Sequence, residues 1–135
     1  MWVVLPCLEY SDYAYLFQGD NIVENVTDGD TFVIRAKIWL GQEIAVRVRL
    51  SDVDTPELHR PKCDAESALA IRAKTFVANR TLDRNVLLRD IRHGKYAGRV
   101  VAKITTPEGD LGEALIKAGL ARQYKNKRIT WCPSQ

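Results

Sequence analysis

Three short segments hold the side chains able to do chemistry: Thr27-Asp28-Gly29-Asp30-Thr31, the run from Arg49 to Asp54-Thr55-Pro56-Glu57, and Lys95-Tyr96-Ala97-Gly98-Arg99. Carboxylates offer hard oxygen donors to a cation, and guanidiniums offer paired N–H donors to a phosphate. A strand-end arginine with two carboxylates just past it can therefore hold an anion and a cation side by side. Phosphodiester hydrolysis needs that combination. Taken singly each segment is bland: Asp-Gly is a common turn, Asp-Thr-Pro-Glu is a turn and helix approach, and Arg99 alone is a surface charge. Their occurrence together in one small chain points to chemistry.

The elements that must position them are legible from periodicity. Val46, Val48 and Leu50 alternate with Arg47 and Arg49, the period of a half-buried strand. Proline then fixes the bend between Asp54 and Glu57. Strands are expected over Ile22–Val26, Thr31–Leu40, Glu43–Leu50, Asn85–Arg92 and Arg99–Thr105, with Phe32, Ile34, Ala36, Ile38 and Leu40 on one face and a hairpin at Gly41. A helix is expected from Asp64 to about Arg80, with a buried stripe including Ala65, Leu69 and Phe76. A second is expected to start with an Asp110/Glu113 capping box, carry Leu111, Ala114, Leu115 and Ala118 inward, and stop at Gly119. The expected fold class is mainly β with α (α+β), a five-stranded OB-type Greek-key barrel with two or three packed helices. Residues 1–20 read as an N-terminal extension, and residues 21–132 as the barrel domain.

The 135 residues suit one domain with a real core, and 46% hydrophobic with 27% charged residues is an ordinary globular balance. A net charge of +3 permits nucleic-acid binding without arguing for it. No apolar run approaches the length of a membrane span, so no membrane partner is expected. The opening MWVVLPCLEY has neither a basic n-region nor a small-residue cleavage site, so no export signal is read there. Cys7, Cys63 and Cys132 are too widely spaced for a zinc knuckle. They read either as three unlinked thiols or as one Cys63–Cys132 disulfide with Cys7 left over. His59 and His93 sit in no motif and read as surface histidines.

From about Val23 to Tyr124 the chain resembles the staphylococcal nuclease (thermonuclease-like) family. The resemblance is carried by DGDT, R-x4-DTPE, the acidic helix start at Asp64 to Glu66, KY-x-GR and DLGEALIKAGLA, all in order. It implies a Ca²⁺-dependent nuclease that hydrolyses DNA and RNA, often exported. It makes Asp30, Asp54 and the Thr55 carbonyl the metal ligands, Glu57 the general base or water-orienting group, and Arg49 and Arg99 the phosphate-holding arginines. Lys95 and Tyr96 match positions near a terminal phosphate, and Tyr124 matches a base-stacking tyrosine. A single-stranded nucleic acid is the expected substrate, and a monomer the expected state.

Two departures bear on this. The usual KYGR is KYAGR here, which places an extra residue before Arg99, absorbed as a bulge near Gly98 if the strand register is to hold. The long C-terminal helix of the type member is replaced by KNKRITWCPSQ, whose Trp131 is expected to fill the space that helix would cover. The rival reading is a catalytically silent binding module on the same barrel. Retention of Asp30, Arg49, Asp54, Glu57 and Arg99 favours the enzyme.

Overall fold

A computed structural model describes residues 16–17, 20–95 and 98–134. The elements run β1 (Leu16–Phe17), β2 (Asn21–Asp28), β3 (Thr31–Trp39), β4 (Gln42–Leu50), β5 (Val53–Asp54), α1 (Asp64–Thr81), β6 (Leu87–His93), β7 (Arg99–Thr106), β8 (Gly109–Asp110), α2 (Leu111–Lys117) and β9 (Arg122–Gln123). The expected five strands are the five long ones, each within a few residues of its expected ends. The expected N-terminal extension, residues 1–20, lies outside the described residues except for β1 and Asp20, and Cys7 lies outside them too.

One sheet carries the order β1-β6-β7-β4-β3-β2, with β8 added on β7, and β5 and β9 pair separately. The ladder does not close on itself. Instead β2 meets the stretch leading into β6: Val23 N–H donates to the Arg84 carbonyl at 3.1 Å, and Val86 N–H donates to Asn21 at 2.9 Å. The architecture is the mainly β, OB-type α+β fold, with two helices among the described residues. No described helix is long and apolar enough to cross a membrane.

Alternation builds the core. Phe32, Ile34, Ala36, Val48, Leu50, Ala102 and Ile104 are all buried inside the curved sheet. The inward run of β3 ends earlier than its alternation suggests, however. Ile38 is 51% exposed, and Leu40, just past the strand, is 88% exposed. The β3–β4 hairpin outruns the layer that would cover it, so the period persists where no partner surface exists.

Helix α1 is rotated from expectation. Its buried positions are Glu66, Ala70, Ala73, Val77 and Thr81, while Leu69 and Phe76 are partly buried and Ala65 is exposed. The cause is its start: Cys63 is the N-cap, and the buried Glu66 carboxylate accepts backbone N–H bonds from Glu57 at 3.3 Å and Lys62 at 2.7 Å. A carboxylate with two such donors can be buried at tolerable cost.

Helix α2 begins with Asp110 accepting the Glu113 N–H at 2.9 Å. It ends with Gly119 at φ 74°, bonds closing from Gly119 to Ile116 and from Leu120 to Leu115, which is a Schellman stop. Leu111 and Leu115 are buried, whereas Ala118, already the C-cap, is exposed.

Candidate active site

Strand register assembles one wall of the site. Thr31 of β3 lies opposite Arg49 of β4, and Arg47 lies opposite Arg99 at the start of β7. Paired residues share a face, and so do residues two apart on a strand. Arg47, Arg49 and Arg99 therefore present together. The Leu50 N–H donates to the Asp30 carbonyl at 2.8 Å, which pins the acidic turn beside that arginine row. Asp30 Oδ2 lies 3.7 Å from Arg49 Nη2, and its Oδ1 accepts from the Thr31 hydroxyl at 3.0 Å.

Asp30 is buried, and burial, then the hydrogen bond and negative charge of Asp28, push its carboxyl up to about 7; Arg49 and Thr31 pull it back. A desolvated carboxylate beside another acid is an electrostatic demand for positive charge.

The second wall is irregular. The chain turns at Ser51-Asp52, with Asp52 at φ 63°, before the Asp54-Thr55-Pro56-Glu57 run, which corrects the expectation that this run makes the turn. Asp54 and Thr55 are buried, and Pro56 is among the fully buried side chains. The two acidic segments meet at Gly29. A Cβ there would stand 3.2 Å from the Thr55 Cβ and 2.9 Å from the Ala73 Cβ, so only glycine lets the turn approach this closely.

Asp54 Oδ2 accepts from the Trp131 indole N–H at 3.3 Å. Its Oδ1 lies 3.3 Å from Arg128 Nε but is buried without a hydrogen bond. Arg128 Nη2 also reaches Glu57 Oε2 at 3.5 Å. Desolvation works to lower the Arg128 pKa, but the charges of Asp54, Glu57 and, more weakly, Asp30, together with the Glu57 hydrogen bond, raise it.

An open cleft of about 360 Å³ is lined by Asp28, Asp30, Arg47, Arg49, Arg99 and Arg128, with Glu57 and His59 at its side. A smaller hollow, about 80 Å³, lies behind Arg128 and holds Asp54 and Thr55 with Trp131. Glu57 and Arg128 border both. The sequence-nominated Asp30, Arg49, Glu57 and Arg99 thus share the cleft, and Asp54 and Thr55 sit behind the Arg128 side chain. Lys95 is exposed on the β6–β7 connection and does not line the cleft, nor does Tyr124, which is 39% exposed. The Tyr124 backbone N–H is tied to Asp52 at 2.9 Å. Tyr96 and Ala97 lie outside the described residues. Around them, Gly98 has φ 78°, and the Gly94 N–H closes the connection on the Arg99 carbonyl at 2.7 Å.

Sequence reasoning gave no site role to four residues here: Arg47, Asp28, Glu66 and Arg128. The period of two already put Arg47 on the face of Arg49. Arg128 was signalled only through the cysteines. Cys63 and Cys132 form a disulfide with Cα atoms 6.0 Å apart, which brings the C-terminal segment back onto the start of α1.

The donors fit a hard divalent cation. They are oxygens from Asp30, Asp54 and the Thr55 backbone, and one buried Asp54 oxygen lacks a hydrogen bond. Among the described residues no group of three or more His, Cys, Asp or Glu forms a metal cluster, so water would have to complete any shell.

The fold is an OB-type α+β domain with arginines and carboxylates facing across one cleft. Residues 47–131, well over half of the chain, match the model of the staphylococcal nuclease homologue family. The chain belongs to that family, a family of nucleases whose substrate class is nucleic acid. The match includes Arg49, Asp54, Thr55, Glu57, Arg99 and Arg128, whereas Asp30 lies before it. A comparison with curated proteins returns no significant match.

Proposed function

We propose that the protein is a Ca²⁺-dependent nuclease that hydrolyses phosphodiester bonds of DNA and RNA, acting as a monomer with a preference for single strands. The observation that carries this reading is the convergence of Asp30, Arg49, Glu57 and Arg99 on one open cleft.

Asp30, Asp54 and the Thr55 carbonyl would hold the cation, which when bound supplies Lewis-acid polarisation of the phosphate. The rest falls to the chain. Arg49 and Arg99, on neighbouring ladder strands, donate N–H bonds to non-bridging phosphate oxygens from one side. Glu57 accepts a proton from the attacking water on the other side of the cleft. As the water oxygen bonds to phosphorus, negative charge grows on the phosphoryl oxygens; the P–O bond to the leaving oxygen then breaks, and that oxygen takes up a proton from solvent. Fixed guanidiniums stabilise that charge without reorganising, and one well-aimed donor lowers the barrier by about 3 kcal/mol. Arg47, on the same face, extends the basic row along which a nucleic-acid backbone would track.

Lys95, Tyr96 and Tyr124 remain in this reading as contacts to the substrate beyond the scissile phosphate. A stacking tyrosine reads an accessible base, and a paired base must first leave its duplex, which is the reason for the single-strand preference.

The test is digestion of single-stranded DNA, duplex DNA and RNA with Ca²⁺, with Mg²⁺ and with excess chelator. Cleavage with Ca²⁺ that chelator abolishes is expected, fastest on single strands. Undiminished cleavage in chelator overturns the metal assignment. Binding without turnover under every condition supports a silent module instead.

A further inference from the structure

The C-terminal segment bears on the site in a way the nuclease reading does not use. Arg128 is positioned against both Asp54 and Glu57, at 3.3 and 3.5 Å, and Asp30 adds to the field it feels. The positive group that these acids demand is thus supplied from within the chain. A guanidinium lying 3.3 Å from Asp54 Oδ1 and a divalent ion held by the same oxygen exclude each other, by charge and by space.

The segment bearing Arg128 lies on the surface. After β9 it makes no strand pairing, and residues 124–130 are exposed. Its anchors are few. Arg122 stacks over the Trp131 ring at 3.8 Å and donates to the Ile129 and Thr130 carbonyls at 3.3 and 2.9 Å. Trp131 donates to Asp54, and Cys132 is bonded to Cys63. The segment is therefore a strap fixed at its two ends, with Arg128 between them. The Arg128 side chain is already 60% exposed, so a change of rotamer carries it into water with little further desolvation to reverse.

We propose that the strap over residues 124–132 is an internal competitor of the cation: the Arg128 side chain neutralises Asp54 and Glu57 in the resting protein and must swing out before a divalent ion is held at Asp54. The Cys63–Cys132 bond keeps the strap at high local concentration, so it sets how readily the acids are released. This rests on the metal-dependent reading above. A strap engaged in about 90% of molecules weakens the apparent cation affinity about tenfold.

The experiment is calorimetric titration of Ca²⁺ into the full, disulfide-bonded chain and into Arg128→Gln, Arg128→Lys and Cys132→Ser, each first checked for a cooperative thermal melt. R128Q should bind Ca²⁺ about tenfold more tightly than the parent. C132S should bind more tightly than the parent by a smaller factor, and R128K should fall between the parent and R128Q because it keeps the charge but not the two-carboxylate reach. Equal or weaker Ca²⁺ binding by folded R128Q overturns the competitor role and leaves the metal reading standing. No Ca²⁺ binding by any form overturns both. Should R128Q fail to fold, the Arg128 side-chain Nε–H resonance of the parent, assigned by its loss in R128K, decides the matter. It should shift to a solvent-exposed position as Ca²⁺ saturates, and an unmoved resonance with Ca²⁺ bound overturns the displacement.

Discussion

The two walls of the cleft are held in different ways. On one side Arg47, Arg49 and Arg99 ride on β4 and β7, and Asp30 sits in the turn just before β3, where the pairs Thr31↔Arg49 and Arg47↔Arg99 fix these positions relative to the core. On the other side Asp54 belongs only to the two-residue β5–β9 pairing, and Thr55 to Glu57 and Arg128 to Cys132 are non-repetitive chain. They are held by single contacts: the Glu66 carboxylate on the Glu57 N–H, the Trp131 indole on Asp54, and the Cys63–Cys132 bond. A ladder wall cannot shift one residue without turning Phe32, Val48 and Ala102 out of the core. The irregular wall has no such penalty, so its geometry depends on a few individually removable bonds. Precision belongs to the ladder wall and adaptability to the irregular one. That division suits a site that must grip a phosphate rigidly while a hydrated cation comes and goes.

The largest effect is expected from Glu57→Gln, which keeps side-chain volume but cannot accept the proton; turnover should fall about 10³-fold with little change in substrate affinity. Single-turnover kinetics checks this, and an unchanged rate in the folded variant removes Glu57 from the chemistry. On the ladder wall, Arg99→Lys should cost about 10²-fold in rate, because an ammonium keeps the charge but not the two-pronged geometry. Its melting temperature should stay near that of the parent, since Arg99 is only half-buried at a strand end. A lysine variant with normal rate would show that the site works without this arginine.

Glu66→Ala sharpens the contrast. It leaves the Glu57 and Lys62 backbone N–H groups without their acceptor, at a cost of about 1–3 kcal/mol in chemical denaturation. Because Glu57 hangs from that bond, rate and stability should fall together, unlike the separated effects at Arg99. A loss of stability with full activity would mean that the irregular wall is positioned by something else.

The smallest effect concerns Asp30 in chelator. Its folded pKa is raised from 3.8 to about 7, so its contribution to stability is full below about pH 3.8 and is lost as pH rises through about 7. Asp30→Asn should flatten that decline in a series of thermal melts between pH 4 and 8. An identical slope in the variant would show that the buried carboxyl does not set it.

Much of this was readable before any coordinates. The five long strands, both helices, the Asp110 cap and the Gly119 stop all follow from local causes: a period of two, a period near four, one capping oxygen and one left-handed glycine. The candidate residues on the ladder wall were legible through the resemblance their motifs carry, and alternation put Arg47 and Arg49 on one face, whereas Arg99 joins them only through the β4–β7 pairing. Where local pattern outran its partner surface the reading failed. Ile38 and Leu40 alternate inward on a hairpin with nothing to cover them, and the α1 stripe turned toward Glu66 because of a bond made to the distant Glu57 loop.

Sequence by itself therefore determined the strands, the helices, the shared face of Arg47 and Arg49 and the family to which the chain belongs. Tertiary structure alone decided that Asp54 sits behind Arg128, that Glu66 carries the Glu57 loop, and that Cys132 rather than a helix closes the site. The physical reason is range. Periodicity and capping act over a few residues, whereas the Trp131–Asp54 and Arg128–Glu57 contacts join residues 77 and 71 positions apart. No repeating pattern encodes pairs so distant, and only the closed chain brings them together.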